Sequence, residues 1–253
     1  MDQRYTLVNN DCMKELDTIE PNSVQMILTD VPYELSKTKC IGSTRLNFGP
    51  RIGYDYTTEN DTTINWVEWI TKCKRVLKKN GVFNIFLGTK QLRDFFDAFD
   101  EVYGPDSYNY RIVIWDKVNV NAQNSFQWFT SNLEYMLAIK FYKQKDWGDL
   151  NNIWNHNKQT ITSLYREPHP LVVNKHNWQH PHTKPQNMLR DLIRLQTNKD
   201  DIVLDPFMGG GSIGVATLLE DRKFYGIEQQ EKWYNESIKQ ISKTEVLLTS
   251  RLF

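Results

Sequence analysis

The stretch "DIVLDPFMGGGSIGVATLLEDRKFYGIE", residues 201–228, decides most of the fold. A short apolar run ends in an acid, three glycines follow, and a longer apolar segment leads to a second short run that also ends in an acid. Short strand-like runs that alternate with helical segments are typical of a parallel sheet covered by helices. We therefore predict an α/β fold in which this stretch forms a strand, a tight turn, a helix and a strand.

The glycines in this stretch favour a ligand-binding turn. Gly209, Gly210 and Gly211 carry no Cβ, so the backbone can turn tightly and approach a ligand closely. The helix that follows would direct free N–H groups and its positive end at an anionic group. The spacing Gly209-x-Gly211-x-x-Gly214 also fits a dinucleotide-binding turn with Glu228 as the ribose acid, and it fits an ordinary glycine-rich turn.

Four acids follow four predicted strands. These are Asp11 after "YTLVNN", Asp30 after "QMILT", Asp205 after "IVL" and Glu228 after "FYGI". In an open parallel sheet, ligands bind beyond the carboxyl ends of the strands. Each acid alone also fits the N-cap of a following helix, but four together favour a ligand site on one rim of the sheet.

The rest of the chain continues the alternation of strands and helices. Strands are predicted in residues 4–9, 23–28, 82–88, 111–116 and 133–141, and helices in residues 11–19, 64–81, 186–196 and 231–242. Gly81 is expected to end the second of these helices. Residues 36–62 and 142–179 lack periodicity, and long irregular segments of this kind often carry function.

Composition narrows the class of protein. The 253 residues, 40% of them hydrophobic, can form a single domain over 1–253, and no apolar run approaches the roughly 20 residues of a membrane span. Three separated cysteines without metal-ligand or disulfide spacing favour a reducing cytoplasm and no metal site. The net charge of zero is a mild argument against a nucleic-acid partner, although a local basic patch can exist on a neutral protein.

Several motifs together resemble the S-adenosylmethionine-dependent amino-methyltransferases of DNA, in the permuted arrangement called the beta class. They are "NNDCMKEL" (9–16), "TDVPY" (29–33), "HPHTKP" (180–185) and "DPFMGGGSIG" (205–214), in that order. The resemblance covers nearly the whole chain except the two irregular segments. It implies a Rossmann-like class I methyltransferase fold, a mostly parallel sheet with helices on both faces. The order is circularly permuted, with the catalytic half first and the cofactor turn near the end.

The resemblance also implies a set of cofactor-binding residues for S-adenosyl-L-methionine. Glu228 would accept hydrogen bonds from the ribose, Asp11 would lie at the adenine ring, and Lys184 would lie near the methionine moiety. For Lys184 a solvated loop position stays open, and for Asp11 so does helix capping. The full implied set is Asp11, Cys12, Asp30, His180, Lys184, Pro185, Asp205, Pro206, Phe207, Gly209, Gly211, Ser212, Glu228 and Gln229.

Asp30, Val31, Pro32 and Tyr33 are the implied catalytic residues. An exocyclic amine is a poor nucleophile because its lone pair is delocalised into the ring, so two acceptors that hold its N–H bonds would help. The Asp30 carboxylate and the Val31 carbonyl would be these acceptors, and Tyr33 would stack on a base flipped out of the duplex. The family usually has proline at position 31, but a backbone acceptor can come from valine, and Pro32 biases Val31 toward an extended conformation.

The function expected from these residues is transfer of a methyl group to N6 of a flipped adenine in double-stranded DNA. Single-stranded DNA, RNA, cytosine N4, a nicotinamide-dependent oxidoreductase and an inactive DNA-binding relative stay open as alternatives. Residues 142–179 are expected to recognise the target, and residues 36–62 to form a loop over the active site. A homodimer and a cognate restriction endonuclease are left open, and the source is expected to be a bacterium or a bacteriophage.

Overall fold

The computed structural model describes residues 4–32, 64–118, 133–141, 154–155, 162–170, 180 and 182–250. The strands are β1 (Tyr5–Val8), β2 (Val24–Asp30), β3 (Leu77–Phe86), β4 (Tyr108–Asp116), β5 (Leu133–Phe141), β6 (Leu164–Arg166), β7 (Ile202–Asp205) and β8 (Lys223–Ile227). The helices are α1 (Cys12–Glu15), α2 (Trp66–Val76), α3 (Leu92–Tyr103), α4 (Gln186–Gln196), α5 (Ser212–Leu219) and α6 (Glu231–Thr249), with a 3-10 turn at Thr89–Gln91.

Within the described residues, eight strands form one sheet in the order β1-β8-β7-β2-β3-β5-β4-β6. All neighbouring pairs are parallel except those that involve β5, which runs antiparallel to β3 and to β4. The two C-terminal strands, β7 and β8, lie between the N-terminal strands β1 and β2. The predicted mostly parallel sheet and its permuted strand order are confirmed.

Helices cover both faces of the sheet, as predicted. Helices α1, α2 and α3 bury an aromatic core against one face, where Trp69 and Phe83 make an edge-on ring contact with centroids 5.7 Å apart. Helices α4, α5 and α6 pack on the other face around Met26, Phe86 and Trp115. The two layers follow from the alternation of side chains along β2 and β3, whose successive apolar residues point to opposite faces.

The predicted helix over residues 64–81 is wrong at its C-terminal end. Helix α2 ends at Val76, and β3 begins at Leu77, so Gly81 lies in a strand and does not stop a helix. Leu77 pairs with Val24 of β2, and the Ser23 N–H donates to the Val76 carbonyl at 3.0 Å. These contacts determine the structure at Leu77 in spite of its helical spacing in the sequence. Sequence periodicity alone cannot reveal such contacts.

Other boundaries also differ from the predictions. The helix predicted over 11–19 is the single turn α1, and α6 continues past residue 242 to Thr249. Helix α3 was not predicted, although Phe95 and Phe99 line its buried face. Within the segment predicted to be irregular, β6 pairs with β4 and lies at the edge of the sheet.

The four acids lie where the strand order brings them together. Asp30 and Asp205 are the last residues of β2 and β7, Glu228 follows β8, and Asp11 lies three residues beyond β1. These strands are consecutive parallel neighbours in the sheet, so their carboxyl ends share one rim. The predicted common rim is confirmed, and it is the position of the candidate site.

Candidate active site

Asp30 is held at the rim by the most buried strand of the sheet. All residues of β2 before Asp30 are buried, so the strand fixes the backbone at its end. The Asp30 side chain is 15% exposed, Val31 is 1% exposed and packs in the core, and Pro32 is exposed. Tyr33, the fourth predicted catalytic residue, lies outside the described residues.

Lys184 forms an ion pair with Asp30. Its Nζ donates to Oδ2 of Asp30 and lies 3.2 Å from Oε2 of Glu134, and the Lys184 side chain is only 1% exposed. The position is therefore not the solvated loop that the sequence left open for Lys184. Its Nζ also lies 5.0 Å from the centroid of the Phe86 ring, a cation–π contact inside a low-dielectric environment.

Glu134 is a residue of the site that the sequence prediction missed. It lies at the beginning of β5, in register with Trp115 of β4. Because β5 is antiparallel, its amino end meets the rim formed by the carboxyl ends of the parallel strands. Glu134 also forms an ion pair with Lys117, which follows β4. The signal that would have revealed Glu134 is the direction of β5, which the amino-acid pattern of "LEYMLAIKF" does not contain.

The charges in this cluster stabilise one another. Burial alone would lower the pKa of Lys184, but the carboxylates of Asp30 and Glu134 outweigh it and raise the pKa. Burial alone would raise the pKa of Glu134, but the ammonium groups of Lys184 and Lys117 lower it to about 2. Burial raises the pKa of Asp30, and the Lys184 ammonium opposes this shift by favouring the carboxylate.

Oδ1, the second oxygen of Asp30, is an acceptor that no described residue uses. It is buried and has no hydrogen-bond partner among the residues that the structure describes. A buried carboxylate oxygen without a partner is costly, so such an atom points to a ligand group that would donate to it. The Lys184 contact occupies only Oδ2, and Oδ1 therefore remains available for an N–H donor.

The glycine turn begins at Asp205, which is 1% exposed. Oδ1 of Asp205 accepts hydrogen bonds from the Thr29 hydroxyl at 2.7 Å and from the Phe207 N–H at 3.2 Å. The Phe207 ring lies against Trp69 of α2, with centroids 5.6 Å apart. Pro206 is buried beside them. The turn is thus fixed to the N-terminal half of the chain.

The glycines adopt conformations that other residues disfavour. Gly209 and Gly211 have φ angles of 51° and 83°. A Cβ on Gly209 would lie 2.9 Å from Nε2 of His180, and one on Gly210 would lie 2.7 Å from Cβ of His180. His180 therefore packs directly on the turn, and the sequence "GGG" leaves room for it.

Burial, with contributions from the nearby His182 and Lys184, lowers the pKa of His180 to about 3. The imidazole is therefore neutral at physiological pH. Its ring packs edge-on against Trp233 of α6 with centroids 4.5 Å apart. The His180 ring therefore packs against both the glycine turn and Trp233.

Glu228 connects the glycine turn to the next helix. Its Oε2 accepts the Gly209 N–H at 2.9 Å, and its Oε1 accepts the Gln230 N–H at 2.8 Å. The side-chain amide of Asn9 donates to the carbonyls of Glu228 and Gln229. A carboxylate has about four lone-pair positions, so Glu228 keeps capacity for further donors such as ribose hydroxyls.

Asp11 and Cys12 begin helix α1 at the β1 end of the rim. Oδ1 of Asp11 accepts the Met13 N–H at 2.8 Å, so Asp11 is an N-cap, one of the two roles left open for it. Burial, together with the nearby Asp11 carboxylate, raises the pKa of the Cys12 thiol to about 12. The Cys12 thiol is therefore neutral, and it gives this end of the rim a mostly apolar surface.

Lys184 and Pro185 join the rim to helices α4 and α5. Pro185 is the N-cap of α4, and the Lys184 N–H donates to the Ser212 hydroxyl at 3.4 Å. Ser212 is the first residue of α5, the helix after the glycine turn. The "HPHTKP" motif and the glycine turn, 20 or more residues apart in sequence, are therefore in direct contact.

Gln91 is a second residue that the sequence prediction missed. It is 3% exposed, and its Nε2 donates to the Pro32 carbonyl at 2.8 Å while its Oε1 accepts the Gly88 N–H at 3.0 Å. Gln91 thus fixes the backbone immediately after the end of β2. Its place in a 3-10 turn after β3 has no signature in a single sequence.

The residues at the rim fit S-adenosylmethionine. A turn without side chains leads into the N-terminus of α5, which suits the anionic end of the methionine moiety. Acceptors for ribose hydroxyls stand at Glu228, next to that turn. The chemistry of these donors and acceptors matches a ligand that carries both a ribose and an amino-acid group.

Comparison with known proteins gives the same assignment. The DNA methylase family, of the N6 and N4 type, matches residues 24–240. The type II methyltransferase M2.MboI of Moraxella bovis is 30% identical over 241 residues, which cover 90% of this chain and 84% of that protein. The DNA adenine methyltransferase YhdJ of Escherichia coli is 24% identical over 254 residues, which cover 93% of this chain and 82% of that protein.

Two solved structures share the fold. The M1.HpyAVI complex with S-adenosylmethionine has a TM-score of 0.68 at 21% identity and covers 94% of this chain and 98% of that one. The cytosine-N4-specific PvuII methyltransferase has a TM-score of 0.68 at 14% identity, and the match covers 96% of this chain and 91% of that one. Together with the match over residues 24–240, these findings show that the chain belongs to the S-adenosylmethionine-dependent DNA amino-methyltransferases.

Proposed function

We propose that this enzyme methylates N6 of an adenine flipped out of double-stranded DNA at a specific sequence, and that Asp30 is its central catalytic residue. The observation that carries the proposal is the buried Oδ1 of Asp30, which has no partner among the described residues and lies at the rim that the glycine turn shares. A flipped base is the substrate form that exposes an exocyclic amine to such a pocket.

The chemistry assigned to Asp30 is hydrogen-bond acceptance. S-adenosylmethionine supplies an electrophilic methyl group. Oδ1 of Asp30 holds one N–H bond of the adenine amine, while Lys184 binds Oδ2 and keeps the carboxylate oriented. Fixed acceptors of this kind orient the nitrogen lone pair and stabilise the positive charge that develops on the amine.

The carbonyl of Val31 is the proposed second acceptor. Among the hydrogen bonds between described residues, none ends on that carbonyl, whereas the next carbonyl along, that of Pro32, is bound by Gln91. The buried Val31 side chain anchors the peptide in the core, a role that does not need the proline usual in the family. This supports a working site in spite of the valine.

Adenine is favoured over cytosine as the target base. The acid at position 30 supports this choice, since family members that act on cytosine N4 often have serine there. The type II methyltransferases of Haemophilus parainfluenzae and Haemophilus influenzae, at 26% and 25% identity, and the adenine enzyme YhdJ cover most of this chain. The cytosine-specific PvuII enzyme shares the fold at only 14% identity.

The bacterial type II relatives support DNA as the substrate and modification of a restriction site as the context. Target recognition by residues 142–179 and a loop over the site at 36–62 stay predictions, because most of the first segment and all of the second lie outside the described residues. Of the first segment, β6 is joined to the sheet, and Glu167 accepts the Trp115 indole N–H and the Met188 N–H. A homodimer and a cognate endonuclease also stay predictions. No described helix is long and apolar enough to cross a bilayer.

Expression in a host that lacks DNA methyltransferases tests the proposal. Single-molecule sequencing of the host genome then identifies the modified base, the modified atom and the target sequence. We expect N6-methyladenine at one short recurring sequence in cells with the natural chain and none in cells with Asp30→Ala. N4-methylcytosine at the recurring sequence would identify the other base, and an unmodified genome together with normal cofactor binding would support an inactive DNA-binding relative.

A further inference from the structure

A single buried ammonium group lies between two carboxylates at the active site. Lys184 contacts Oδ2 of Asp30 and lies 3.2 Å from Oε2 of Glu134, while Lys117 binds Oε1 of Glu134. The side chains of Asp30, Glu134 and Lys117 are 15%, 18% and 17% exposed, so solvent screens these charges weakly. Each carboxylate therefore influences how strongly the other holds Lys184.

The position of the Lys184 ammonium between the two carboxylates determines whether Asp30 can accept a hydrogen bond from the substrate amine. Lys184 binds one oxygen of Asp30 and leaves Oδ1 without a partner among the described residues. An ionised carboxylate only accepts hydrogen bonds, whereas a protonated one donates from one oxygen. Asp30 is therefore the stronger acceptor for an amine N–H when a nearby cation keeps it ionised, provided that the cation does not cover both of its oxygens.

We propose that Glu134 is a positioning residue for methyl transfer, which acts on Asp30 by holding the Lys184 ammonium to one side. The proposal rests on the catalytic role proposed above for Asp30. Without the Glu134 carboxylate, Asp30 is the carboxylate that still forms an ion pair with Lys184 among the described residues, and the ammonium moves toward both oxygens of Asp30. Oδ1 then loses its availability for the substrate amine.

A simpler role for Glu134 is to neutralise Lys117. The two roles make different predictions for a double variant. If Glu134 only neutralises Lys117, removing both charges with Lys117→Gln and Glu134→Gln restores the rate. If Glu134 acts through Lys184, the double variant stays slow, because Lys184 still lacks its second carboxylate.

The test measures single-turnover methyl transfer from labelled S-adenosylmethionine to DNA from a methylation-free host, with the cofactor bound before mixing. We expect Glu134→Gln and the double variant to be about 10- to 100-fold slower than the natural chain, as a misplaced catalytic group would make them. Cofactor affinity, measured by calorimetry, should stay within about threefold, or less than about 1 kcal/mol. Such a split between rate and affinity is not what a general loss of structure produces.

Two further variants keep the outcome decisive. Glu134→Asp preserves the charge but withdraws the carboxylate, so it should also be slow, and it decides the question if Glu134→Gln does not fold. Asp17→Asn removes the carboxylate of an exposed ion pair with Lys72 and should leave the rate unchanged.

Natural rates in Glu134→Gln or Glu134→Asp, or recovery in the double variant, would overturn the role of Glu134 while that of Asp30 stands. Full activity of Asp30→Ala, measured in parallel, would overturn both.

Discussion

The hydroxyl of Thr29 donates a 2.7 Å hydrogen bond to Oδ1 of Asp205, across 176 residues of sequence. Both residues are fully or almost fully buried. Thr29 immediately precedes the proposed catalytic Asp30, and Asp205 opens the glycine turn. The bond therefore connects the N-terminal half, which holds the proposed catalytic acid, directly to the C-terminal half, which holds the proposed cofactor-binding turn.

The buried Asp205 makes the stability of the free protein depend on pH. Burial raises its pKa to about 7, against the opposing hydrogen bonds from Thr29 and the Phe207 N–H. The pKa of an aspartate in the unfolded chain is about 3.9. Between that pH and the pKa of the folded state, the folded protein binds more protons than the unfolded chain, so its stability falls as pH rises. Asp205→Asn keeps the acceptor oxygen and does not titrate. Its free energy of unfolding, relative to the natural chain, should rise by about 2–3 kcal/mol from about pH 5 to about pH 8.

Urea denaturation of both proteins at the two pH values, without cofactor, measures this difference. Parallel stability curves for Asp205→Asn and the natural chain would contradict the raised pKa of Asp205.

Gly209→Ala should weaken cofactor binding more than it weakens the fold. A positive φ costs an alanine about 1–2 kcal/mol, and the new Cβ would also lie 2.9 Å from the His180 ring. Gly104→Ala is a matched control because Gly104 has φ 85° but no atom within 4 Å of the added Cβ. Both variants should lose stability, and only Gly209→Ala should lose affinity for S-adenosylmethionine in calorimetry. An equal loss of affinity in both would show that crowding at His180 is irrelevant.

Local sequence patterns could predict the parts of the site that lie on strand ends and turns. The acids Asp30, Asp205 and Glu228 each follow a clear apolar run, and sequence order placed them near one another once a parallel sheet was assumed. The resemblance to a family added the roles of Asp11 and Lys184, which spacing alone does not give. The match of helix α4 with the predicted residues 186–196 reflects a regular apolar spacing with a proline just before it.

The missed parts depend on contacts between distant elements. Glu134 reaches the rim only because β5 is antiparallel, and Gln91 reaches Pro32 only because a 3-10 turn follows β3. Leu77 fits a helical face by spacing but pairs with Val24 instead. Periodicity reports which side of an element is buried, and it does not report the direction of a strand or the partner of a polar side chain.

Gln91 should affect catalysis without touching the cofactor turn. Gln91→Leu removes the donor to the Pro32 carbonyl and leaves two backbone groups unsatisfied, which costs about 1–3 kcal/mol of stability. Gln91→Glu keeps the acceptor for the Gly88 N–H but not the donor to Pro32. We expect both variants to be about 10-fold slower in single-turnover methyl transfer, with unchanged cofactor affinity. Natural rates in both would show that the backbone after β2 needs no such support.

Glu228 should control cofactor affinity. Glu228→Gln turns one accepting oxygen into a donor, which then faces a backbone N–H of Gly209 or Gln230. Loss of a charge-assisted acceptor is worth about 1.5–3 kcal/mol, so the dissociation constant for S-adenosylmethionine should rise about 10- to 100-fold. Glu231→Gln alters an exposed acid three residues further on and should bind the cofactor normally. Equal affinity in the two variants would remove Glu228 from the cofactor site.

The most direct test of the shared pocket is the single-turnover rate of Asp30→Ala with S-adenosylmethionine already bound. Removal of the central acceptor should slow methyl transfer to unmethylated DNA by about 100-fold or more, while calorimetry shows that the cofactor still binds. Asp17→Asn, in the exposed ion pair with Lys72, should react at the natural rate. Full activity of Asp30→Ala with bound cofactor would contradict the central claim that Asp30 presents the substrate amine to the pocket beside the glycine turn.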